Sequence, residues 1–322
     1  MKNTILYIVV PCYNEKDVLS LTAKVLKEKM TALIDSEKIH NASKVLFVND
    51  GSKDNTWEII KQLHKDNQVF TGISLSRNRG HQNALLAGLL IAKQYADIVI
   101  SMDADMQDDI DVIDKFIEEY EKGYDVVYGV RNSRKTDTAF KKYTALMFYR
   151  LMQWLGAETI YNHADYRLMS KRALEGLAEF KEVNLFLRGL VPMVGYAHSI
   201  VEYARGERKA GESKYPLKKM IAFAIDGITS LSIKPITLIT KLGLIIFLLS
   251  LIALVWVLIV KFAGRAETGW SSILVSIWLL GGLQLFAIGV IGEYIGKIYK
   301  ETKQRPRYII AENLIEQANK EN

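Results

Sequence analysis

The chain has 322 residues, and its 42 lysines and arginines outnumber its 36 aspartates and glutamates, giving a formal net charge of +6. Hydrophobic residues make up 49% of the chain and charged residues 24%, a composition that excludes disordered, collagen-like and low-complexity proteins. The single cysteine, Cys12, cannot form an intrachain disulfide or a cysteine-based zinc site, so a secreted disulfide scaffold is also excluded.

Short apolar runs alternate with helical patterns through the first part of the chain. Alternation of this kind predicts an α/β domain with a mostly parallel sheet and helices on both faces. In such a sheet, ligands bind at the carboxyl ends of the strands. The predicted strands are Ile5–Val10, Val45–Val48, Gly72–Leu75, Ile98–Met102 and Val126–Tyr128, and the predicted helices include Val18–Leu33, Thr56–Lys65, Asn83–Ala92 and Ile110–Tyr120.

Two long uncharged runs follow, Leu242–Val260 with 19 residues and Thr268–Gly292 with 25. A helix of roughly 20 residues crosses a hydrocarbon core of ~30 Å, so the two runs predict a two-helix transmembrane hairpin at about 238–261 and 269–294. A pair of buried core helices is the alternative. Basic residues are abundant before the first run and after the second, whereas the connector Lys261–Glu267 has two. The positive-inside rule therefore places both chain ends and the α/β domain in the cytoplasm, at the plasma membrane.

Residues 215–234 show apolar side chains at helical spacing beside Lys218 and Lys219, and Pro216 suits a first helical turn. The pattern predicts an amphipathic helix lying in the membrane interface, with an ordinary surface helix as the alternative. The predicted organisation is an α/β domain at 1–214, the interfacial helix at 215–234, two transmembrane helices within 235–300, and a cytoplasmic C-terminal tail at 301–322.

Polar clusters follow three of the predicted strands. They are Pro11-Cys12-Tyr13-Asn14-Glu15, Asn49-Asp50-Gly51-Ser52 and Asp103-Ala104-Asp105-Met106-Gln107. Any one of them alone is compatible with a turn. Because all three come at the carboxyl ends of strands in the same half of an α/β domain, we expect them to line one ligand site.

Asp103 and Asp105 are the strongest chemical signal in the sequence. Two carboxylates separated by one residue in an extended loop can point the same way, and hard oxygen ligands suit Mg²⁺ or Mn²⁺. Further oxygens would come from a diphosphate. A solvated acidic turn is the alternative, and we interpret the neighbouring Asp108, Asp109 and Asp111 as helix-start residues of that kind.

These motifs resemble the signature of family 2 glycosyltransferases with the GT-A fold. The Asp-Ala-Asp-x-Gln form is similar to the polyprenyl-phosphate subgroup, which includes dolichyl-phosphate mannose synthases and bactoprenol-phosphate glucosyltransferases. The resemblance covers nearly the whole chain, with Arg79 as a departure where the family is expected to have an aromatic residue. The motifs that carry it are Pro11-x-Tyr13-Asn14-Glu15, Asp50-Gly51-Ser52-x-Asp54-x-Thr56, Ser76-Arg77-Asn78-x-Gly80-His81-Gln82, Asp103-x-Asp105-x-Gln107, Asp165-Tyr166-Arg167, Arg208-x-x-Gly211-Glu212-Ser213-Lys214-Tyr215, and Gly292-Glu293-Tyr294-Ile295-Gly296 before Arg305-Pro306.

The resemblance implies inverting transfer of a hexose, glucose or N-acetylglucosamine, from a UDP-sugar to undecaprenyl phosphate, which yields a lipid-linked sugar for cell-envelope glycosylation. It assigns a Mg²⁺ or Mn²⁺ site to Asp103, Asp105 and Gln107, with Asp105 also counted as catalytic. Asp50 is a candidate acceptor for a base N–H. The residues implied to bind the nucleotide sugar are Pro11, Tyr13, Asn14, Glu15, Asp50, Arg77 and Asp103.

The acceptor phosphate needs cations. Arg131 and Arg208 rank first because a guanidinium matches phosphate oxygens bidentately, and we count Arg208 as catalytic. General attraction of the basic residues to anionic lipid is the alternative. The full set of candidates is Arg131, Arg134, Arg208, Ser213 and Lys214.

Asp165 resembles the position assigned as catalytic base in this branch, and we include it among the catalytic candidates. A phosphate monoester, with a second pKa of about 6, is already largely ionised at pH 7, so little proton removal is needed. We therefore predict that Asp165 positions the sugar or an acceptor-binding arginine. His81 and His163 are candidates for a direct role, against the alternative of hydrogen-bonded structural histidines.

Two other function classes remain as alternatives. A processive polysaccharide synthase of the same fold would be expected to carry a Gln-x-x-Arg-Trp motif, which does not occur in this sequence. A non-catalytic membrane scaffold that binds nucleotide would tolerate loss of the aspartate pair. Nucleic-acid binding is disfavoured because the basic residues gather beside the apolar runs.

The expected partners are the UDP-sugar, the polyisoprenyl phosphate and the lipid bilayer. A second copy of the chain is also expected, since Gly281, Gly282, Gly289 and Gly292 would allow close helix packing. The resemblance further implies a flippase and a downstream membrane glycosyltransferase.

Overall fold

A computed structural model describes residues 4–131, 163–204, 228–230, 232–262 and 269–316. The strands are β1 (Leu6–Cys12), β2 (Lys44–Asn49), β3 (Phe70–Leu75), β4 (Ile98–Ser101), β5 (Val126–Arg131), β6 (His163–Ser170), β7 (His198–Tyr203) and β8 (Ile310–Asn313). The helices are α1 (Leu19–Asp35), α2 (Thr56–Asp66), α3 (His81–Ala92), α4 (Val112–Glu121), α5 (Lys171–Glu179), α6 (Leu187–Met193), α7 (Lys234–Phe262) and α8 (Trp270–Lys303).

The strands form one eight-stranded sheet with the order β7-β5-β6-β4-β1-β2-β3-β8. β1 runs parallel to β2 and β4, β2 runs parallel to β3, and β5 runs parallel to β7. β6 runs antiparallel to its neighbours β4 and β5, and β8 runs antiparallel to β3. The predicted α/β domain with a mainly parallel sheet is therefore confirmed.

Apolar side chains cover both faces of the sheet, because successive residues of a strand point to opposite faces. Ile8 belongs to the cluster that contains Phe116 of α4, and its neighbour Val9 belongs to the cluster that contains Leu89 of α3. The helices before and after each strand thus bury the two faces and leave the strand ends open to ligands.

The five predicted strands and the four predicted helices occur, with boundaries that differ by a few residues. The predicted strand Val126–Tyr128, for example, continues to Arg131 in β5. β6, β7 and β8 were not predicted from the sequence. β6 adds two antiparallel pairings to the sheet, and β8 adds one.

The two uncharged runs lie in α7, with 29 residues, and α8, with 34 residues. Large apolar side chains are exposed on both helices, including Ile252 at 67% and Leu285 at 72%. Within the described ranges, one helical segment, Leu279–Lys303, is long and apolar enough to cross a membrane. Most of the predicted interfacial helix, residues 215–227 and 231, lies outside the described residues.

The end of α8 contacts other parts of the chain through polar side chains. The Tyr294 hydroxyl donates to the Ser232 carbonyl (2.6 Å), and Lys297 Nζ lies 2.8 Å from the Ser230 hydroxyl. Beyond the helix, β8 pairs with β3, and Trp57 Nε1 donates to Glu312 Oε1 (2.9 Å). Residues 310–313 of the predicted tail are therefore a strand of the catalytic sheet.

Candidate functional site

The loops after β1 and β2 lie side by side at the carboxyl end of the sheet. The Asp50 N–H donates to the Cys12 carbonyl (2.9 Å), and the Asn14 N–H donates to the Ser52 hydroxyl (3.0 Å). One residue further on, the Glu15 N–H donates to the Thr56 hydroxyl (3.0 Å). The loops that carry the first two polar motifs are therefore hydrogen-bonded to each other. Their positions after neighbouring strands predict that they lie close together.

The loop after β3 packs against Gly51. Gly51 has φ +61°, and a Cβ built on it would lie 2.5 Å from the backbone carbonyl carbon of Arg77. Only a residue without a side chain allows this approach in this backbone conformation. The glycine of the Asp-Gly-Ser motif is thus a requirement of loop packing.

Asp50 is 2% exposed, and its carboxylate accepts from the backbone N–H groups of Arg79 (2.7 Å) and Gly80 (2.9 Å). Burial raises the pKa of Asp50, and these two hydrogen bonds oppose the rise. An ionised carboxylate has about four acceptor sites, so these two bonds leave Asp50 able to accept from a base N–H as well. That contact remains a prediction. Arg77 is exposed beside this loop.

The aspartate pair follows β4, beside β1. The Met102 N–H donates to the Val9 carbonyl (3.1 Å), and Asp105 Oδ1 accepts from the Gln107 N–H (3.2 Å) in a turn in which Met106 has φ 55°. Asp103 has a side chain that is 35% exposed. Desolvation raises the pKa of Asp103, and the neighbouring carboxylates raise it further, whereas His81 opposes the rise.

The donor set suits a hard divalent cation. Two carboxylates and the Gln107 amide are the oxygen ligands that Mg²⁺ and Mn²⁺ prefer, with a ligand phosphate supplying further oxygens. In the part of the chain that the structure describes, no group of three or more His, Cys, Asp or Glu side chains is placed to hold a metal ion by itself. The oxygen donors of Asp103, Asp105 and Gln107 suit a divalent cation.

The interpretation of Asp108 as a solvated helix-start residue is wrong. Asp108 is 4% exposed, and its carboxylate accepts from the Tyr203 hydroxyl and from Arg131 Nη2 (3.3 Å). The Tyr203 hydroxyl also accepts from Arg131 Nε (3.3 Å). Arg131 is therefore held by two groups, one of them on β7, a strand that the sequence analysis did not predict.

Asp165, on β6, lies among cationic groups. Its carboxylate accepts from Arg167 Nη2 (2.7 Å) and from Arg188 Nη2 (3.0 Å) and Nε (3.3 Å). His81 Nε2 lies 3.7 Å from Asp165 Oδ2 and also 3.7 Å from Asp103 Oδ1. The histidine thus lies between the aspartate pair and Asp165.

Burial raises the pKa of Asp165, but Arg188, His81 and Arg167 outweigh the burial and hold the pKa well below its usual range. Desolvation lowers the pKa of His81, and the carboxylates of Asp165 and Asp103 outweigh it and raise the pKa. Asp165 is therefore an ionised group held by two guanidinium groups.

Arg188 is a site residue that sequence reasoning missed. It belongs to no motif, and its partner is far from it in sequence. A signal was nevertheless present, since an arginine inside the apolar stretch Leu185–Met193 is costly to bury without an acidic partner.

The structure brings Asp103, Asp165 and Arg131 to one end of the sheet, and the loops with Tyr13, Asn14 and Glu15 flank them. Pro11 is buried in β1, and the Tyr13 residue is 37% exposed. Four acceptor candidates, Arg134, Arg208, Ser213 and Lys214, lie outside the described residues, as does the side chain of His163.

Residues 7–177 match the Glycosyl transferase family 2 domain. The chain is 55% identical over 306 residues to "Uncharacterized glycosyltransferase YkoT" of Bacillus subtilis (strain 168), covering 95% of this chain and 91% of that protein. It is 40% identical over 305 residues to "Bactoprenol glucosyl transferase" of Shigella phage SfX, covering 94% and 97%.

Among solved structures, glucosyl-3-phosphoglycerate synthase from Mycobacterium tuberculosis in complex with Mn²⁺, UDP and phosphoglyceric acid aligns with a TM-score of 0.45 and 15% identity, over 71% of this chain and 77% of that one. The domain match includes the loops that carry Asp50, Asp103 and Asp165, and the matched relatives align along nearly their whole length. The chain belongs to glycosyl transferase family 2.

Proposed function

We propose that this protein transfers a hexose, glucose or N-acetylglucosamine, from a UDP-sugar to undecaprenyl phosphate with inversion at the anomeric carbon. The observation that carries the proposal is the extent of the similarity to proteins named bactoprenol glucosyl transferase, 40% identity over 94% of this chain. An alignment of that length includes both the catalytic sheet and the apolar helices α7 and α8.

The donor half of the proposed site is formed by the loops after β1, β2 and β4. Pro11, Tyr13, Asn14, Glu15 and Asp50 enclose the nucleotide, and Arg77 faces the diphosphate. The residues that would hold Mg²⁺ or Mn²⁺ are Asp103, Asp105 and Gln107. A cation bound there would stabilise the charge that develops on the leaving UDP.

The acceptor half is formed around Arg131. Asp108 and Tyr203 fix the direction of its guanidinium, and a guanidinium in a fixed direction recognises phosphate oxygens at little entropic cost. In this proposal Arg134, Arg208, Ser213 and Lys214 complete the phosphate site.

In the proposed reaction, a phosphate oxygen of the lipid forms a bond to the anomeric carbon as the bond from that carbon to the UDP oxygen breaks. The acceptor phosphate needs no general base, since it is largely ionised at neutral pH. Asp165, held by Arg167 and Arg188, positions the sugar or an arginine that contacts the acceptor.

The membrane arrangement is part of the proposal. We place α7 and α8 as a two-span hairpin in the plasma membrane, residues 215–234 in the interface, and both chain ends in the cytoplasm. The exposed apolar side chains of both helices support this arrangement, because soluble surfaces rarely carry so large an apolar area. We further propose a homo-oligomer whose lipid-linked product passes to a flippase and a downstream membrane glycosyltransferase.

Incubation of the purified full chain with undecaprenyl phosphate, Mg²⁺ or Mn²⁺ and a panel of UDP-sugars tests the proposal. Mass spectrometry of the lipid fraction is expected to show a polyisoprenyl phosphate carrying one hexose. A polymer would indicate a processive synthase, and nucleotide binding without transfer would indicate a scaffold. Either result would contradict the proposal.

The variant Arg208→Ala tests the acceptor half separately. It is expected to raise the KM for the lipid phosphate far more than the KM for the UDP-sugar. Equal losses for both substrates would tell against an acceptor role for this residue.

A further inference from the structure

The end of the apolar helix α8 contacts a loop that leads into the candidate site. Glu301 accepts hydrogen bonds from the backbone N–H groups of Val183 (2.8 Å) and Asn184 (2.7 Å). The Asn184 side-chain amide also donates to Glu301 (2.6 Å) and to the Lys297 carbonyl (3.2 Å). One carboxylate on α8 thus satisfies two backbone donors of the loop, and such charge-assisted bonds are about twice as strong as neutral ones.

The same loop leads into α6, whose first two residues contact α3 and β6. The Leu187 N–H donates to Gln82 Oε1 (2.8 Å), and the next residue, Arg188, pairs with Asp165. Phe186 and Leu187 are 5% and 1% exposed, so the backbone between the two contacts is packed into the domain. Segment 183–188 is thus held at one end by Glu301 and at the other by Gln82 and Asp165.

The part of α8 that carries Glu301 is itself fixed. Tyr294 donates to the Ser232 carbonyl, and Lys297, which is 8% exposed, contacts Ser230. Beyond the helix, Arg307 Nη1 donates to the Phe180 carbonyl (3.0 Å). The contact between Glu301 and the loop therefore joins two firmly held parts of the molecule.

We propose that Glu301 is a positioning residue for sugar transfer and acts through Arg188. By holding segment 183–188 against the end of α8, it sets the guanidinium of Arg188 on Asp165 and so links the seating of the apolar helix to the geometry of the site. The inference rests on the proposed transfer reaction for its kinetic readout and deepens that proposal.

A double-mutant cycle with Glu301→Ala and Arg188→Ala in the full chain tests the inference. Glu301→Ala is expected to lower kcat roughly 10-fold with the donor KM nearly unchanged, a loss typical of a small misplacement of a site group. In the Arg188→Ala background the same change is expected to have less than about a 2-fold effect, because residues that act through one another are not additive. Additive losses, or an unchanged kcat in Glu301→Ala, would overturn the inference.

Hydrogen exchange provides a readout that does not depend on transfer. Glu301→Ala is expected to speed exchange in peptides covering β6 and segment 183–188 while leaving β2 unchanged, and the increase in β6 is expected to vanish in the Arg188→Ala background. Absence of any increase in β6 would overturn the inference even if no sugar were transferred. An active wild type with additive losses would instead leave the proposed function intact and reject the role of Glu301.

Two further variants provide a control and a second test of the contact between α8 and segment 183–188. Glu179→Ala removes an exposed glutamate of α5 and is expected to leave both readouts at wild-type values. Asn184→Ala removes the side-chain bonds to α8 and keeps both backbone N–H contacts, so it tests the inference if Glu301→Ala does not fold. It is expected to lower kcat by about 2- to 4-fold, and a wild-type kcat would count against the proposal.

Discussion

The two halves of the candidate site are stabilised by different interactions. Around β1, β2 and β3, the loops contact one another through backbone N–H groups, hydroxyls and the close approach of Gly51 to Arg77. Around β4, β5 and β6, charged side chains pair with each other, with Asp165 between Arg167 and Arg188. The first half, here called the uncharged half, is held by hydrogen bonds to backbone N–H groups, two of which the Asp50 carboxylate accepts, and the second, the charged half, is held by ion pairs.

This difference bears on what each half can do. Hydrogen bonds to backbone N–H groups, including the two that Asp50 accepts, fix the shape of the loops in the uncharged half, which suits recognition of one nucleotide. Arginines that already have carboxylate partners can exchange part of that contact for a phosphate when one arrives, since both anions match the same guanidinium geometry. We therefore expect changes in the charged half to affect turnover and changes in the uncharged half to affect nucleotide affinity.

The largest effect is expected for Asp103→Ala and Asp105→Ala. Each is expected to lower transfer by about 10³-fold or more and to remove the metal dependence of UDP binding, because either loss takes away a ligand of the proposed cation. Transfer assays and calorimetry with and without Mn²⁺ measure these effects, and circular dichroism monitors folding. Asp111→Asn, in a side chain that is 84% exposed, is the control and should retain full activity. Normal turnover in either alanine variant would show that the substituted aspartate is not a ligand of a catalytic cation.

Asp165→Asn is expected to lower kcat by about 10²-fold, because it leaves the buried guanidinium of Arg167 without its acidic partner. Arg188, His81 and Arg167 outweigh burial and hold the pKa of Asp165 well below its usual range, so the wild-type carboxylate stays ionised throughout neutral pH. The pH–rate profiles of variant and wild type should then have the same shape between about pH 6 and pH 9. A variant profile that lacks the fall in rate on the acid side shown by the wild type, with unchanged acceptor affinity, would show that Asp165 is the base.

Gly51→Ala tests the uncharged half. The added methyl group would lie 2.5 Å from Arg77 backbone in a conformation with φ +61°, so the loop after β3 must move. We expect UDP affinity to fall roughly 10-fold with a smaller change in kcat. Gly123→Ala is the matched control, since Gly123 has φ +98° with nothing within 4 Å of the added Cβ, and it should cost stability without changing UDP affinity.

The smallest effect on turnover is expected for Asp125→Asn, at the opposite end of β5. Asp125 accepts from Ser170 (2.8 Å) and from Arg172 Nε (2.8 Å), and the Arg172 and Ser170 hydrogen bonds lower its pKa against the effect of burial. A lowered folded-state pKa gives stability that is present above about pH 4 and is lost as the pH falls through the lower folded value. The variant should therefore unfold more easily at pH 7 by about 1–3 kcal/mol and lose less stability on acidification. Urea unfolding at pH 7 and pH 3 measures the difference, and equal pH dependence of both proteins would contradict it.

The uncharged half could be predicted from the sequence because its signals are local. β1 and β2 are apolar runs, and the turn residues that follow them include the glycine and asparagine that adopt positive φ at Gly51 and Asn14. Short-range patterns of this kind specify both a strand and the loop that ends it.

The charged half could be predicted only in part. Asp103, Asp105 and Asp165 stand in motifs, whereas Arg188 and Tyr203 are brought to the site by tertiary packing. β6 alternates apolar Tyr166 and Leu168 with polar Asp165 and Arg167, but the pattern is short, and the pairing of β6 with β4 and β5 depends on residues distant in sequence. β8 is a short strand that pairs with β3 from far along the chain, and nothing local predicts that pairing.

β8 also determines when the catalytic sheet can be completed. Without it, β3 would be an edge strand with a row of unsatisfied backbone groups, open to pairing with another polypeptide. β3 is synthesised near the start of the chain, and β8 follows both long apolar helices. During translation the open edge therefore persists until α7 and α8 have left the ribosome, so a chain that stops before β8 would be exposed to aggregation.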